Sequence, residues 1–128
     1  MYNMNRVMFI GQLAAPAELK KTASGQAMLT FRLATNQSWK NDKGEWESTA
    51  EYHNITAWRE TAERAGSMIQ KGMRVYVEGK LHTRSWIADN GKKQYSVEVV
   101  AHTILPIVPS TKKEQEEMNP EEVEIVVE

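Results

Sequence analysis

The order of strands and helix in this chain is decided between residues 52 and 82, where the sequence reads YHNITAWRETAERAGSMIQKGMRVYVEGKLH. Apolar and polar side chains alternate with a period of two over residues 52–58 and again over residues 74–82, which is typical of β-strands. Between these runs, residues 60–70 repeat their apolar side chains at helical spacing. The pair Lys71–Gly72 then supplies a cation and a glycine of the kind that end helices. The stretch therefore predicts a strand, a helix and a second strand.

Three further runs with strand alternation lie outside that stretch, at residues 7–13, 29–34 and 94–104. Clusters of Gly, Asn, Asp and Ser separate the runs and favour turns. The resulting order, β-β-β-α-β-β, predicts an all-β fold: a five-stranded OB-fold Greek-key barrel with one helix between strands 3 and 4. Barrels of this architecture bind oligonucleotides on one face.

The composition excludes several classes of protein. The chain has 128 residues and no cysteine, so disulfide scaffolds, thiol nucleophiles and cysteine-ligated zinc are ruled out. No apolar run approaches the roughly 20 residues of a membrane helix, and the N-terminus lacks the pattern of a signal peptide. The three histidines have no metal-ligand spacing, and no nucleophile elbow or Gly-rich phosphate loop is present. We expect a cytoplasmic protein that is not an enzyme and uses no metal or cofactor.

The net charge of −1 hides two oppositely charged parts. Residues 1–107 carry 14 basic and 10 acidic side chains, a net charge of +4, whereas residues 108–128 carry two lysines and seven glutamates, a net charge of −5. Prolines at positions 106 and 109 mark the boundary. We predict a barrel domain over residues 1–107 and a short acidic C-terminal tail over residues 108–128, whose apolar end could add to a sheet edge.

Aromatic side chains fall on the polar faces of the predicted strands, among cations. Single-strand binding needs this combination, because bases stack on aromatic rings and the cations contact the phosphates. The single predicted helix has an Ala-rich face and balanced charge, which does not suit duplex readout. The predicted nucleic-acid contacts are Trp39, Tyr52, Trp58, Trp86, Arg6, Arg32, Lys40, Lys43, Arg74, Lys80 and Arg84.

Three other residues have different expectations. Trp46 is flanked by two glutamates that would repel phosphate, so we expect it to pack against its own loop. Tyr76 has Glu78 beside it on the same strand face and is expected at a subunit contact. His53 is expected either to satisfy a buried hydrogen bond or to lie at a subunit contact.

Several motifs occur together and in order: Asn5-Arg6-Val7-x-x-x-Gly11-x-Leu13, Leu33-Ala34-Thr35-x-x-Ser38-Trp39, Glu51-Tyr52-His53, Lys71-Gly72-x-x-Val75-Tyr76-Val77-Glu78-Gly79-x-Leu81-x-Thr83-Arg84-x-Trp86 and Tyr95-x-x-Glu98-Val99-Val100. Over residues 5–105 the chain resembles the bacterial single-stranded DNA-binding protein family. The resemblance implies an OB fold assembled as a homotetramer that wraps single-stranded DNA without sequence preference, in replication, recombination and repair.

Residue roles follow from the same resemblance. The positions of Trp39, Tyr52, Trp58 and Trp86 match the base-stacking aromatics of the family, and those of Asn5, His53 and Tyr76 match its subunit contacts. Family members often end in an acidic tip with the sequence Asp-Asp-Asp-Ile-Pro-Phe, which docks on replication and repair proteins. This chain ends in Glu124-Ile125-Val126-Val127-Glu128 without a terminal Phe, so the resemblance does not extend to this docking tip for replication and repair proteins. The acidity of the tail could still compete with DNA for the basic surface.

Two other functions fit the residues. One is an OB-fold interaction module, similar to primosomal adaptors of the replication machinery, in which the aromatic face binds protein and DNA binding is weak or absent. The other is an RNA-binding OB domain, since stacking does not distinguish RNA from DNA.

Overall fold

A computed structural model of the chain describes residues 1–107. They form the elements β1 (Val7–Leu13), β2 (Glu18–Lys21), β3 (Ala27–Lys40), β4 (Trp46–Trp58), α1 (Arg59–Met68), β5 (Arg74–Ile87) and β6 (Lys93–Pro106). No helix within this range has the length and apolarity needed to cross a membrane. The predicted acidic tail, residues 108–128, and its apolar end lie outside the described residues.

Five of the strands close into a barrel. Their order is β1-β5-β6-β4-β3, and pairing between β3 and β1 completes the ring. The β4–β6 pairing is parallel and the other pairings are antiparallel. The helix α1 connects the third and fourth strands of the barrel. The predicted all-β OB fold with one helix is therefore confirmed.

The barrel interior is filled by the odd-numbered apolar residues that the alternation predicts. The largest fully buried side chains are Leu13, Leu29, Leu33, Ile55, Val75 and Val77. Helix α1 packs onto β3 and β6 through Ala62 and Ala65, which are both fully buried. Because these side chains are small, the helix can approach the barrel closely and close one of its ends.

Two glycines stand where strands approach too closely for a side chain. A Cβ at Gly11 would lie 2.5 Å from the carbonyl oxygen of Ala34, at the point where β1 meets β3. A Cβ at Gly79 would overlap the carbonyl oxygen of Val100, beside the irregularity in the β5–β6 pairing. Both glycines therefore allow the barrel to close.

The elements differ from the sequence prediction in three ways. β3, β4 and β5 extend well beyond the predicted runs, because their outer halves form hairpins with both faces in solvent and so lack apolar alternation. All four residues of the short strand β2 are exposed, and the strand is held by backbone pairing to β3, which leaves no hydrophobic pattern to detect. The helix ends at Met68 rather than at Lys71–Gly72, because Ile69 turns into extended backbone and buries its side chain.

Candidate nucleic-acid interface

The β3–β4 hairpin carries Tyr52 and Arg32 on one face. Its register is unbroken from the Met28–Trp58 pair to the Lys40–Trp46 pair, so side chains alternate strictly between the two faces along its whole length. The even-numbered side chains point away from the barrel core. On that face the guanidinium carbon of Arg32 lies 4.6 Å from the ring centroid of Tyr52, whose side chain is about half exposed.

The β5–β6 hairpin faces the same region with Arg84 and Trp86. Arg84 and Trp86 are two residues apart on β5, so their side chains lie on one face of the strand. The Trp86 side chain is about half exposed. A groove of about 470 Å³ separates the two hairpins, and its lining includes Arg32, Asn54, Thr56, Arg84, Trp86 and Glu98. We call this surface, with the adjacent Tyr52, the groove face. Two predicted aromatics and two predicted arginines thus come together.

A carboxylate is built into the floor of the groove. Glu98 is largely buried, accepts a hydrogen bond from the Thr56 hydroxyl at 2.9 Å and lies 3.5 Å from Nη2 of Arg84. The Arg84 side chain stays more than half exposed. Because guanidinium has five N–H donors, the contact with Glu98 orients Arg84 and leaves other donors available to a phosphate.

The remaining predicted cations are spread over the surface. Lys80 lies on the same outward face of β5 as Arg84 by alternation. Lys43 sits in the β3–β4 turn, where its backbone N–H donates to Asn41 Oδ1 at 2.9 Å. Arg74 begins β5 ten residues before Arg84, about 33 Å away along the strand. The groove face therefore does not include Lys43 or Arg74.

Arg6 lies away from the groove face and has a partner. Its Nη2 is 2.7 Å from Glu78 Oε1, which also accepts a hydrogen bond from the Tyr76 hydroxyl at 2.8 Å. The hydrogen bond from Arg6, followed by that from Tyr76, lowers the pKa of Glu78. His102 Nε2 lies 3.5 Å from the other carboxylate oxygen. Much of the charge that Arg6 would offer to a phosphate is thus compensated.

Two of the predicted aromatics lie apart from the groove lining. Trp58 is half-buried at the junction of β4 and α1, and pairs with Met28. Trp39 is an odd-numbered residue of β3, so it lies on the hairpin face opposite Tyr52, and its partner across the hairpin is Glu47. A strand that contacts both Trp39 and Tyr52 has to pass around the hairpin.

Trp46 does not pack against its loop, so that expectation was wrong. Its side chain is 70 % exposed, and the Lys40 ammonium lies 5.4 Å from its ring centroid. The prediction weighed the neighbouring glutamates, but Glu47 points to the other face of the strand and is bonded by the Asn41 amide at 3.3 Å. The even spacing of Trp46 from Tyr52 was the signal that could have placed both on one face.

The three predicted subunit-contact residues all have partners within the chain. Asn5 forms two hydrogen bonds with the backbone of Leu81, at 2.8 and 2.9 Å. His53 stacks on Phe9 with 4.2 Å between ring centroids and bonds the Thr35 hydroxyl at 2.9 Å. The hydrogen bond predicted for His53 is therefore present, in a part-buried position, while the subunit contacts remain predictions.

The sequence of this chain is similar to those of known single-stranded DNA-binding proteins. Single-stranded DNA-binding protein 1 of Chlorobaculum tepidum is 42 % identical over 99 residues, which cover 76 % of this chain and 60 % of that protein. Single-stranded DNA-binding protein 3 of Listeria innocua is 38 % identical over 101 residues, covering 79 % of this chain and 62 % of that protein. The chain thus spans about 60 % of the length of the curated relatives it matches.

Two solved structures have the same fold. The Plasmodium falciparum SSB in complex with single-stranded DNA superposes with a TM-score of 0.76 at 27 % identity, covering 84 % of this chain and 98 % of that one. A deletion mutant of the Thermus aquaticus single-stranded DNA-binding protein gives a TM-score of 0.72 at 32 % identity, covering 84 % and 52 %. The profile of the single-strand binding protein family matches residues 4–107. This chain belongs to the single-strand binding protein family.

Proposed function

We propose that the protein binds single-stranded DNA without sequence preference and coats and protects it during replication, recombination and repair. The observation that carries the proposal is the groove face, on which exposed rings of Tyr52 and Trp86 stand beside Arg32 and Arg84. Such a role would put the protein in the cytoplasm, on the nucleoid. The relatives named single-stranded DNA-binding proteins, and the related SSB solved with single-stranded DNA, support the proposal.

The proposed mechanism combines stacking with charge. Bases stack on Tyr52 and Trp86, and each stack contributes about 1–3 kcal/mol whatever the base, because every base has a π face. Arg32, Lys80 and Arg84 contact the phosphates, which adds an affinity term that decreases with salt. Neither contribution reads base edges, so the binding is independent of sequence.

Binding would continue around the β3–β4 hairpin. Trp39 offers a further ring on the opposite hairpin face, and Lys40 and Lys43 supply charge near the tip. Trp58 would contribute a partly covered ring at the base of the hairpin. A strand wrapped in this way contacts both hairpin faces, and Arg6 and Arg74 would act at the periphery of the path.

We also propose a homotetramer. Support comes from the outward face of β1, β5 and β6, where Met8 and Leu105 are more than half exposed beside the half-buried Tyr76. Exposed apolar patches of this kind mark protein contacts. Asn5 and His53 would lie near these contacts. A mass measurement in solution, with and without oligo-dT, tests the assembly, and a monomer at micromolar concentration contradicts it.

The function is tested by titrating the protein with oligo-dT while its tryptophan fluorescence is recorded. We expect strong quenching, because bases stack directly on the rings, and little effect from a blunt duplex of equal length. An adaptor module that binds protein through the same face would show little or no quenching by oligo-dT. Tighter binding of oligo-U than of oligo-dT would favour an RNA-binding domain instead.

A further inference from the structure

The tip of the β3–β4 hairpin carries an aromatic residue that the family resemblance does not assign. Because the hairpin register has no bulge between the Lys40–Trp46 and Met28–Trp58 pairs, Trp46 lies on the same face as Tyr52. The two rings are six residues apart on one strand, or about 20 Å. Trp46 therefore continues the groove face along the hairpin toward its tip.

The ring of Trp46 is available and has a cation. It is more exposed than the rings of Trp39, Tyr52 and Trp86. The Lys40 ammonium lies 5.4 Å from the Trp46 centroid, and the Arg32 guanidinium lies 4.6 Å from that of Tyr52. The same pairing of ring and cation thus occurs twice on one hairpin face.

The acidic side chain that follows Trp46 does not oppose an anion on this face. Glu47 alternates to the other side of β4, opposite Trp39, and its Oε1 accepts a hydrogen bond from Asn41 Nδ2 at 3.3 Å. The Lys40 ammonium, by contrast, lies over the Trp46 ring. An exposed ring under a lysine suits a nucleotide, whose base can stack while its phosphate meets the ammonium.

We propose that Trp46 and Lys40 form a further nucleotide-binding position, which extends the path of single-stranded DNA from Tyr52 to the hairpin tip. The proposal rests on the proposed single-strand binding function and deepens it. It adds a stacking contact about 20 Å beyond Tyr52 on the same hairpin face. Trp46 is the stacking ring, and Lys40 is the phosphate contact.

The first test compares Trp46→Leu with wild type on oligo-dT of about 30 nucleotides. We expect Trp46→Leu to bind this strand about 5-fold or more weakly, because one stack is lost. Trp46→Phe keeps a ring and should retain most of the affinity. Equal affinity of Trp46→Leu and wild type would overturn the proposal.

The second test makes Trp46 the sole tryptophan, by the substitutions Trp39→Phe, Trp58→Phe and Trp86→Phe, and follows its emission. Binding is measured separately by the anisotropy of a labelled oligo-dT. Quenching that accompanies binding supports a stack on Trp46, whereas bound DNA without quenching overturns it. If wild type itself does not bind oligo-dT, the proposed function is wrong. That result differs from binding without quenching of Trp46, which contradicts only the proposed position at Trp46.

Discussion

The guanidinium carbon of Arg32 lies 4.6 Å from the centroid of the Tyr52 ring, and both groups face outward from neighbouring strands of one hairpin. The cation lies over one side of the ring, so a base can stack on the other side. Arg32 can then support the ring electrostatically and contact a phosphate of the same strand. The pair thus presents a π face and a positive charge together, which is the combination that the proposed nucleotide contact needs.

Arg32→Ala should weaken oligo-dT binding roughly tenfold, because a phosphate contact and about 0.5–1 kcal/mol of cation–π support are lost together. Arg32→Lys should fall between this variant and wild type, since lysine keeps the charge but not the planar group that lies over Tyr52. Anisotropy titrations at one salt concentration measure both effects. Equal affinities of all three proteins would contradict the role of this pair.

Arg84→Ala should reduce the salt dependence of binding. Each neutralised phosphate contributes a slope of about −0.7 to a plot of log affinity against log salt for single strands. Losing the Arg84 contact should therefore make the slope shallower by about that amount. Arg64→Ala, an exposed arginine on α1, is the matched control and should leave the slope unchanged. An unchanged slope in Arg84→Ala would show that Arg84 neutralises no phosphate.

The lowered pKa of Glu78 makes stability depend on pH. Its carboxylate is held by Arg6 and Tyr76, so the folded state favours the ionised form. A glutamate whose pKa is depressed on folding contributes stability at pH values above its ordinary pKa, about 4.3. That contribution is lost as the pH falls through the depressed value.

Glu78→Gln should therefore flatten the decline in the free energy of unfolding below about pH 4.3. Urea unfolding at a series of pH values from 7 to 3 measures the decline. Glu63→Gln, at an exposed position on α1, serves as the control and should keep the wild-type pH dependence. An identical decline in Glu78→Gln and wild type would rule out the Glu78 network as its source.

Gly79→Ala should destabilise the barrel by about 3 kcal/mol, because the added methyl group would overlap the Val100 carbonyl and backbone would have to move. Gly66→Ala is an informative control, since the nearest atom to its new methyl group is the end of the Leu19 side chain, at 3.3 Å. That side chain is half exposed and can shift, while alanine favours the helix by about 1 kcal/mol. Thermal or urea unfolding of both variants measures the difference, and a Gly79→Ala protein as stable as wild type would refute the close approach.

The sequence was sufficient to predict the barrel, because apolar core side chains alternate with polar ones with a period of two along its strands. Leu29 and Ile55 are buried where that pattern places them. It could not predict the outer hairpins, whose length depends on backbone pairing between two solvated faces, or the exposed strand β2. The same limit explains Trp46, since the exposed part of β4 carries no apolar pattern to show that the strand, and with it the alternation of side chains, begins as early as residue 46.

Contacts between side chains that are far apart in the sequence could not be predicted either. Arg6 looked like a free cation in a basic body, but Glu78, 72 residues away, is its partner. Arg84 and Trp86, by contrast, are two residues apart on one strand, and this spacing is enough to place them on one face. The largely buried position of the Glu98 carboxylate beside Arg84 could not be predicted, because it depends on the pairing of β5 with β6 and on the approach of Thr56 from β4.

In the proposed function, single-stranded DNA stacks on the rings of the groove face. The measurement is the affinity for oligo-dT of the double variant Tyr52→Leu, Trp86→Leu. The control is Ile87→Ala, which removes an exposed apolar side chain that follows Trp86 on β5 and lies on the opposite face of that strand. Two lost stacks of about 1–3 kcal/mol each predict a loss of affinity of at least about 30-fold in the double variant, and none in Ile87→Ala. Wild-type affinity in a folded double variant would show that DNA does not stack on these two rings.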